Sequence, residues 1–254
     1  MNARGGLAAP AAAATIGVVY ARSADVYDLL YAGSGEKDYR AEAARLGVII
    51  RERNPAARSL LDVACGTGLH LRFLRERFDV EGVDLSPEMI EVARSHLPDV
   101  PLGVADMRTL ALGRAFDAIT CLFSGIGYVT EPGELRETIR RFAAHLAPGG
   151  VLVFDGWLRP DAWIDGLRPE PEVVSDDSMT VVRLAVGVRD GRITRFDMHH
   201  LVRTDAGVEY FVEHHRLALT TTEEYVAAVE EAGLEAKVLP DALPGRDRIV
   251  GVRR

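Results

Sequence analysis

Apolar and polar positions follow different patterns in successive parts of the chain. Residues 15–56 show a helical period, with an apolar stripe at Leu29 and Leu30 and a break at Gly33-Ser34-Gly35. Residues 57–156 alternate short apolar runs with helical stretches. Continuous apolar runs between helices are typical of parallel strands that are buried on both faces. We therefore expect an N-terminal helical segment followed by a doubly wound α/β sheet.

A different pattern begins after residue 156. Three strand-like runs with much alternation are joined by Asp190-Gly191 and by Asp205-Ala206-Gly207, which are hairpin turn signals. These runs are Met179–Arg189, Arg192–Arg203 and Val208–Leu219. Residues 157–222 are therefore predicted to form an antiparallel β insertion. Because sheet edges are normally paired or covered, we expect it to cover the cleft where a substrate binds or to form a dimer contact.

The last part of the chain, residues 223–254, returns to the first pattern. Tyr225–Glu231 has a helical period and is followed by Gly233, a residue that commonly ends helices. Two short apolar runs follow, around Ala236–Leu239 and Arg248–Val252. We expect this helix and hairpin to complete the core sheet.

The turn after the first predicted strand gives the first chemical indication. Leu60–Val63 leads into Gly66-Thr67-Gly68 and then into a helical pattern. Glycines let the backbone turn sharply and approach a ligand closely. A dinucleotide-binding turn would have a third glycine where this chain has Leu71, and a P-loop would continue with Gly-Lys-Ser/Thr. The turn is therefore expected to serve a different ligand.

Acidic residues lie at or near the ends of three successive predicted strands. They are Asp62, Asp84 and Asp106. Because the carboxyl ends of parallel strands meet at one edge of a sheet, these acids should form a row beside the ligand. Ser86-Pro87 then opens a helix, with serine as the N-cap and proline at the first helical position.

Four stretches together resemble the successive motifs of class I S-adenosylmethionine (SAM) methyltransferases: LDVACGTG, EGVDLS, ADMR and LAPGGVLVF. The resemblance implies SAM as the cofactor, with Asp62 and the glycine turn at its methionine part. It places Asp84 at the ribose hydroxyls, and Asp106 with Met107 at the adenine. A nicotinamide enzyme or a non-catalytic Rossmann domain is the alternative, and the missing third glycine disfavours it. The expected cofactor-binding residues are Tyr27, Tyr39, Asp62, Ala64, Gly66, Gly68, Asp84, Leu85, Asp106, Met107 and Cys121.

Composition narrows the possible partners. The 254 residues are 48% hydrophobic, enough for one substantial core, and the net charge is −8, which argues against nucleic acid as the acceptor. The two cysteines, Cys65 and Cys121, do not make a disulfide framework and fit a reduced cytoplasm. No apolar run approaches the length of a membrane span. Residues 1–14 are rich in Ala, Gly and Pro and are expected to be a flexible tail rather than a signal peptide.

Tyrosines are concentrated before residue 40. Four of the seven tyrosines lie there, Tyr20, Tyr27, Tyr31 and Tyr39. They fit ordinary amphipathic packing, since tyrosine often buries its ring and exposes its hydroxyl. They also fit a lid, residues 15–56, that supplies hydroxyls to SAM and to the acceptor. For Tyr20 the two interpretations are equally supported, and for Tyr27 and Tyr39 the lid is favoured.

The loop after the fourth predicted strand should lie nearest the reacting methyl group. The strand Phe116–Phe123 is followed by Ser124-Gly125-Ile126-Gly127-Tyr128. Ligands of doubly wound sheets bind outside the carboxyl ends of the strands, where this loop would be. Tyr128 is a poor base at an ordinary tyrosine pKa, so we expect its hydroxyl to orient the acceptor. Tyr128 and Tyr20 are the candidate catalytic residues.

From about Tyr20 to Gly251 the chain resembles one narrower family, the bacterial N,N-dimethyltransferases of nucleotide-linked amino sugars. The stretches that carry the resemblance are YDLLYAGSGEKDY, LLDVACGTGLHL, CLFSGIGY, RFAAHLAPGGV and PGRDRIVG. It implies methylation of a sugar amine beside Tyr128, with Tyr20 nearby, and a nucleotide pyrophosphate near Arg246. The family belongs to bacterial secondary metabolism, including antibiotic biosynthesis.

Two departures from the family pattern fall where the acceptor should bind. Asp155-Gly156-Trp157-Leu158 replaces a Glu-Pro-Trp-Trp run, and Pro244-Gly245-Arg246-Asp247 replaces Ser-Gly-Arg-Gly. The same scaffold with an altered pocket could methylate an indole or another aromatic natural product at carbon or nitrogen. The amino sugar is favoured over this alternative. The candidate substrate-binding residues are Phe123, Trp157, His199 and Arg246.

Two histidine pairs, His199-His200 and His214-His215, suggest a metal site at first sight. Adjacent residues of a strand point to opposite faces, so each pair offers one ligand per face. No acid or cysteine cluster accompanies them. We therefore expect no metal, and one histidine that faces the acceptor pocket.

Overall fold

The computed structural model describes residues 20, 22–33, 37–166 and 169–254. The expected tail, residues 1–14, lies outside the described residues, as do Ser34 and Gly35 of the predicted break. The helices are α1 (Ala24–Asp28), α2 (Tyr39–Arg51), α3 (Leu71–Leu74), α4 (Pro87–His96), α5 (Glu134–Ala144) and α6 (Thr222–Glu231), with a π-helical turn at Leu29–Gly33 and 3₁₀ turns at Met107–Thr109 and Gly125–Tyr128. The strands are β1 (Ser59–Val63), β2 (Asp79–Asp84), β3 (Leu102–Val104), β4 (Phe116–Cys121), β5 (Leu146–Asp155), β6 (Glu172–Ser175), β7 (Thr180–Asp190), β8 (Ile193–Thr204), β9 (Gly207–Ala218), β10 (Leu234–Leu243) and β11 (Arg246–Arg253).

The larger sheet has seven strands in the order β10-β11-β5-β4-β1-β2-β3. Strands β1 to β5 pair in parallel, whereas β11 runs antiparallel to β5 and β10 antiparallel to β11. The order reverses at β1, which has β2 on one side and β4 on the other. This topology confirms the predicted doubly wound α/β sheet, with the C-terminal hairpin added at its β5 side.

Both faces of this sheet are buried. On one face, Leu61 and Phe154 join a core with residues of α5 and α6. On the other face, Leu60 and Val153 join a core with residues of α2, α3 and α4. Neighbouring residues of one strand thus enter opposite cores, which explains why these strands are continuous apolar runs rather than alternating ones.

Helix α5 is shorter than its sequence pattern predicts. The prediction extended it to Leu146, but it ends at Ala144 and β5 begins at Leu146. The carbonyl of His145 accepts a 2.8 Å hydrogen bond from the backbone N–H of Phe116, so that Leu146 pairs with β4. Gly149, at a φ of +76°, then makes the turn inside the strand. A tertiary strand contact therefore overrides the local helical period.

The smaller sheet is antiparallel, in the order β6-β7-β8-β9. The three predicted strands are present, and the sequence pattern missed β6, which has four residues and follows Pro171. The inner face of the smaller sheet is buried and holds His200, Glu213 and His215. On the outer face, which we call the outer apolar face, Leu184, Val186, Val188, Leu201 and Tyr210 are exposed.

The N-terminal helices contact both sheets. In α2, the side chain of Asp38 caps the helix by accepting the backbone N–H of Ala41 at 2.8 Å. The segment before α2 packs Val26 and Leu30 against Val181 on the inner face of the smaller sheet. Through these contacts the N-terminal segment joins the smaller sheet to the core.

Candidate active site

A partly open cavity of about 950 Å³, its mouth included, lies at the carboxyl edge of the larger sheet. It lies beyond the carboxyl ends of β1 and β4, between which the strand order reverses. This is the usual ligand position in such folds. Ten of the predicted site residues line it: Tyr20, Tyr27, Ala64, Gly66, Asp84, Leu85, Asp106, Met107, Phe123 and Tyr128. Lining residues that were not predicted to bind a ligand include Ser86, Met89, Ala105, Arg108, Leu122 and Val129.

The turn from β1 to α3 gives the cavity an open backbone wall. Ala64 and Gly66 have φ values of +57° and +55°. No heavy atom outside the immediate neighbours lies within 4 Å of the position a Gly66 Cβ would take. Gly68, by contrast, faces inward, where a Cβ would lie 2.8 Å from Leu97. Gly66 thus leaves space for a ligand, whereas Gly68 lets α4 pack closely.

Asp84 at the end of β2 is fixed by the same turn. Its Oδ2 accepts the Gly66 N–H at 2.8 Å, and its Oδ1 accepts the Ser86 N–H at 2.9 Å. Burial raises the pKa of this carboxyl, and the backbone hydrogen bonds from Ser86 and Gly66 work in the opposite direction. Each oxygen keeps acceptor capacity beside the cavity, which suits the paired hydroxyls of a ribose.

Asp106 is held by its neighbour Arg108. The guanidinium Nη2 of Arg108 donates to Asp106 Oδ2 at 2.6 Å, and Nε donates to Oδ1 at 3.0 Å. The hydrogen bond from Arg108 holds the pKa of Asp106 below its usual range. This two-point pairing fixes the acid at the cavity wall next to Met107.

Asp62 does not line the cavity. It is buried at the end of β1 and accepts the hydroxyl of Thr120 at 2.7 Å. Burial raises its pKa to about 7, with Asp84 adding a smaller increase in the same direction. The acid therefore lies one layer behind the open wall formed by Ala64 and Gly66.

At one end of the cavity three side chains form a hydrogen-bonded chain. The hydroxyls of Tyr20 and Tyr128 are 2.8 Å apart, and Tyr128 Oη lies 2.8 Å from His215 Nδ1. His215 comes from the inner face of the smaller sheet, so this sheet supports the cavity wall through the two tyrosines. Burial raises the pKa of both tyrosines and lowers the pKa of His215 to about 4.

An aromatic wall continues from Tyr20. The ring of Tyr27 lies 5.5 Å from that of Tyr20 and 4.5 Å from that of Tyr31 (centroid to centroid). Tyr31 in turn meets Phe123 edge-on at 5.1 Å. The N-terminal segment thus covers the cavity with aromatic rings.

The remaining predicted residues lie outside the cavity lining. Tyr39 packs edge-on against His70 at 4.8 Å, and Cys121 is fully buried. Trp157 donates its indole N–H to Thr194 at 3.1 Å. The guanidinium of Arg246 lies 4.3 Å from the centre of the Trp157 ring and donates to the Ser124 hydroxyl at 3.2 Å.

The structure corrects the placement of His199. It lies on the outer side of the smaller sheet, where its ring stacks on Tyr210 and its Nδ1 is 2.7 Å from the tyrosine hydroxyl. The histidine that reaches the site is His215, which lies behind Tyr20 and Tyr128 and contacts both. The choice of His199 was wrong because the strand register decides which histidine of a pair points inward, and a sequence pattern does not contain that register.

A buried ionic cluster behind the cavity was missed by sequence reasoning. Arg248 on β11 donates to Asp155 on β5 at 2.7 Å and to Glu42 on α2 at 2.6 Å. Glu42 also meets His70 at 3.0 Å and Lys37 at 3.1 Å. Burial works against ionisation of Glu42, but the hydrogen bond with His70 and the charges of Lys37 and Arg248 hold its pKa well below the usual range.

The cluster also supports the loop that carries Tyr128. Asp155 Oδ2 accepts the backbone N–H of Phe123 at 3.0 Å. Phe123 and Ser124 have φ values of +51° and +65°, a conformation that side chains other than glycine adopt rarely. Ser124 is held by its own hydroxyl, which donates to the Gly156 carbonyl at 2.8 Å. These bonds fix a strained turn directly beside the cavity.

Within the described ranges, no group of three or more His, Cys, Asp or Glu could hold a metal ion. In that part of the chain, no helix is long and apolar enough to cross a membrane.

Known proteins share this architecture and much of this sequence. A family model described as a methyltransferase domain matches residues 60–150. The dTDP-3-amino-3,6-dideoxy-alpha-D-glucopyranose N,N-dimethyltransferase of Streptomyces fradiae is 42% identical over 231 residues, covering 90% of each chain. The crystal structure of DesVI from Streptomyces venezuelae has a TM-score of 0.85 at 43% identity, over 91% of this chain and 98% of that one. SAM-bound CalS10, an amino pentose methyltransferase from Micromonospora echinaspora, has a TM-score of 0.80 at 42% identity, over 90% and 97%.

The chain is a class I SAM-dependent methyltransferase. This follows from the doubly wound sheet, its glycine turn and the match to the methyltransferase domain model. The cavity fits that cofactor, because an open glycine wall and a fixed acceptor carboxylate lie side by side. At more than 40% identity over nine-tenths of its length, the chain belongs to the family of amino-sugar N,N-dimethyltransferases. The predicted enzyme class, cofactor and family are thereby confirmed.

Proposed function

We propose that this enzyme methylates the amine of a nucleotide-linked amino sugar, with the amine beside Tyr20 and Tyr128. The observation that carries the proposal is the pair of hydroxyls 2.8 Å apart at one end of a cavity whose other walls suit SAM. The names of the relatives support it, since those with 42–44% identity over 231 residues are described as dTDP-amino-sugar N,N-dimethyltransferases.

We assign the cofactor to the walls built by Ala64, Gly66, Asp84 and Asp106. Asp84 would accept the ribose hydroxyls, and Asp106 with Met107 would contact the adenine. Asp62, behind the glycine turn, would act on the methionine part through the surrounding backbone. Bound SAM supplies a methyl group that is already activated on a sulfonium. This chain's residues must therefore chiefly orient the amine, and alignment of this kind is worth roughly 7–11 kcal/mol.

Arg246 is the proposed contact for the nucleotide pyrophosphate. Its guanidinium lies over the ring of Trp157 and donates to Ser124 in the strained turn. Burial lowers its pKa, so an incoming phosphate would recover part of the lost solvation. The side chain would then link the sugar diphosphate to the loop that presents Tyr128.

The proposal is tested by incubating the purified enzyme with SAM and a panel of acceptors. The panel contains dTDP-linked amino sugars, the free amino sugars, indoles and phenols, and the demethylated cofactor is measured. We expect turnover of a nucleotide-linked amino sugar, a much higher KM for the free sugar, and loss of that difference in Arg246→Ala. Arg254→Ala, at an exposed ion pair with Glu235, is the matched control. Turnover of an indole or phenol alone would refute the amino sugar.

We also propose a homodimer formed through the outer apolar face. Leu184, Val186 and Val188 form a row on β7 on this side, opposite His199, Asp197 and Arg195 of β8. Leu201 of β8 and Tyr210 of β9 lie opposite each other farther along the same face. A group of exposed apolar side chains edged by polar ones, as here, is typical of a protein–protein contact. A second copy would cover this face by the same face, as in most two-fold dimers.

A further inference from the structure

The buried imidazole of His215 has one nitrogen with a hydrogen-bond partner and one without. Nδ1 meets the Tyr128 hydroxyl at 2.8 Å. Nε2 has no hydrogen-bond partner among the described residues, and the nearest acid is Glu213, with Oε2 4.0 Å away. The side chain of His215 is fully shielded from solvent. Its protonation pattern is therefore set by its protein neighbours.

Glu213 determines which nitrogen carries the proton. Its Oε2 accepts the Ser23 hydroxyl at 2.6 Å, and its Oε1 accepts the backbone N–H groups of Arg22 and Ser23 at 3.2 Å. A carboxylate 4.0 Å from Nε2 attracts an N–H there and repels a bare lone pair. His215 is therefore protonated on Nε2, and its Nδ1 can only accept.

The groups around His215 together favour its neutral state. Arg183 of β7, His200 of β8 and the adjacent His214 oppose a positive charge on the ring, whereas Asp197 and Glu213 favour one. Tyr20 and Tyr128 cover the ring from the cavity side without a charge. Burial, the main cause, lowers the pKa of His215 to about 4, so the ring remains an acceptor near neutral pH.

From these contacts we infer that His215 is a positioning residue that sets the direction of the hydroxyl chain. Because Nδ1 accepts, Tyr128 donates its proton away from the cavity, and the remaining lone pairs on Tyr128 accept from Tyr20. The oxygens of both tyrosines then present lone pairs to the cavity, and neither presents a proton. This inference rests on the proposed function, because its consequence concerns an amine acceptor.

A neutral primary amine has two N–H groups and one lone pair. Acceptor oxygens bind its N–H groups and leave the lone pair directed at the methyl group, whereas a hydroxyl donor would occupy that lone pair. The lone pair forms the N–C bond while the C–S bond breaks with its electrons returning to sulfur, and the new ammonium releases one proton to solvent. A secondary amine still has one N–H for the same oxygens, which suits a second methylation.

Two measurements test this role. In the ¹⁵N-histidine NMR spectrum of the full-length protein with the demethylated cofactor, we expect His215 as the Nε2–H tautomer near neutral pH, assigned by its absence in His215→Phe. Kinetically, His215→Phe should lower kcat about tenfold, the worth of one hydrogen bond, with an unchanged KM for SAM. His215→Asn, whose side-chain oxygen can replace Nδ1, should recover most of the loss. His214→Phe, on the neighbouring exposed residue, is the control.

The double variant separates orientation from packing. In a Tyr128→Phe background, His215→Phe should change kcat by less than about twofold, because the hydroxyl it directs is gone. An equal loss in both backgrounds, an Nδ1–H tautomer, or recovery of His215→Phe at high pH would overturn the inference. Absence of amino-sugar turnover by the unaltered enzyme would refute the proposed function, and the NMR result would still decide the direction of the hydroxyls.

Discussion

Asp84 is held at the cavity in a position where its carboxylate can accept hydrogen bonds from a bound ligand. Its position at a strand end was predicted from the sequence, and its two backbone hydrogen bonds fix it at the cavity. We predict that Asp84→Asn weakens SAM binding at least tenfold, because an amide cannot accept at both positions. Calorimetry measures this, with Asp79→Asn, an exposed residue at the other end of β2, as the control. Equal SAM affinities of the two variants would contradict the assignment.

Asp62 leads to a prediction about pH. Its folded-state pKa of about 7 exceeds its ordinary value, so its contribution to stability is complete below about pH 4 and is lost as pH rises through 7. Asp62→Asn keeps the acceptor for Thr120 and removes the buried charge. We therefore expect it to stabilise the protein without cofactor by about 1–3 kcal/mol at pH 8 and by little at pH 4.5. Urea unfolding at both pH values measures this, and the same gain at both would show that ionisation of Asp62 is not the cause.

Site residues could be predicted where a short stretch of sequence determines their position, and were missed where distant parts of the chain determine it. Asp84 and Tyr128 follow directly from a strand and its next turn, so the pattern places them. His215 depends on the register of β9 against β8, which no short segment encodes. Arg248 and Glu42 are 206 residues apart, and their pairing requires the assembled sheet.

Among the elements, the smaller sheet shows where a sequence pattern succeeds and where it fails. Three of its strands were predicted because apolar and polar residues alternate along them, and they alternate because one face of the sheet packs against the protein and the other faces outward. Strand β6 was missed because four residues are too few for a pattern. Helix α5 was predicted two residues too long, since the hydrogen bond between Phe116 and His145 decides where the strand starts.

The outer apolar face gives a prediction at this scale. Val186→Lys should convert a dimer into a monomer, because the side chain is 56% exposed in the single chain and would be buried at the proposed contact. Val48→Lys on α2, where the valine is 58% exposed, is a matched control that should leave the assembly unchanged. Light scattering across a concentration series measures both. A monomeric unaltered protein would exclude the dimer.

For the whole molecule, the ionic cluster joins the parts that the sequence pattern predicts separately. It connects α2, β5 and β11, and Asp155 extends it to the turn of Phe123. We predict that Arg248→Met destabilises the protein by about 3–5 kcal/mol, because two carboxylates lose their buried partner. Urea unfolding measures this, and Arg254→Met at the surface should change stability by less than about 1 kcal/mol. Similar small effects of both variants would mean that the cluster does not hold α2.

The distance along the chain between Glu42 and Arg248 also has a consequence for synthesis on the ribosome. Helix α2 is translated early, but its buried carboxylate has no guanidinium until β11 emerges. In a nascent chain that ends within β10, α2 can pack on α3 and Glu42 can meet His70 and Lys37, but the link from Glu42 to β5 through Arg248 is still missing. The last strand to be synthesised thus completes the ionic cluster, and we expect a ribosome-bound fragment to retain SAM more firmly once β11 has left the exit tunnel.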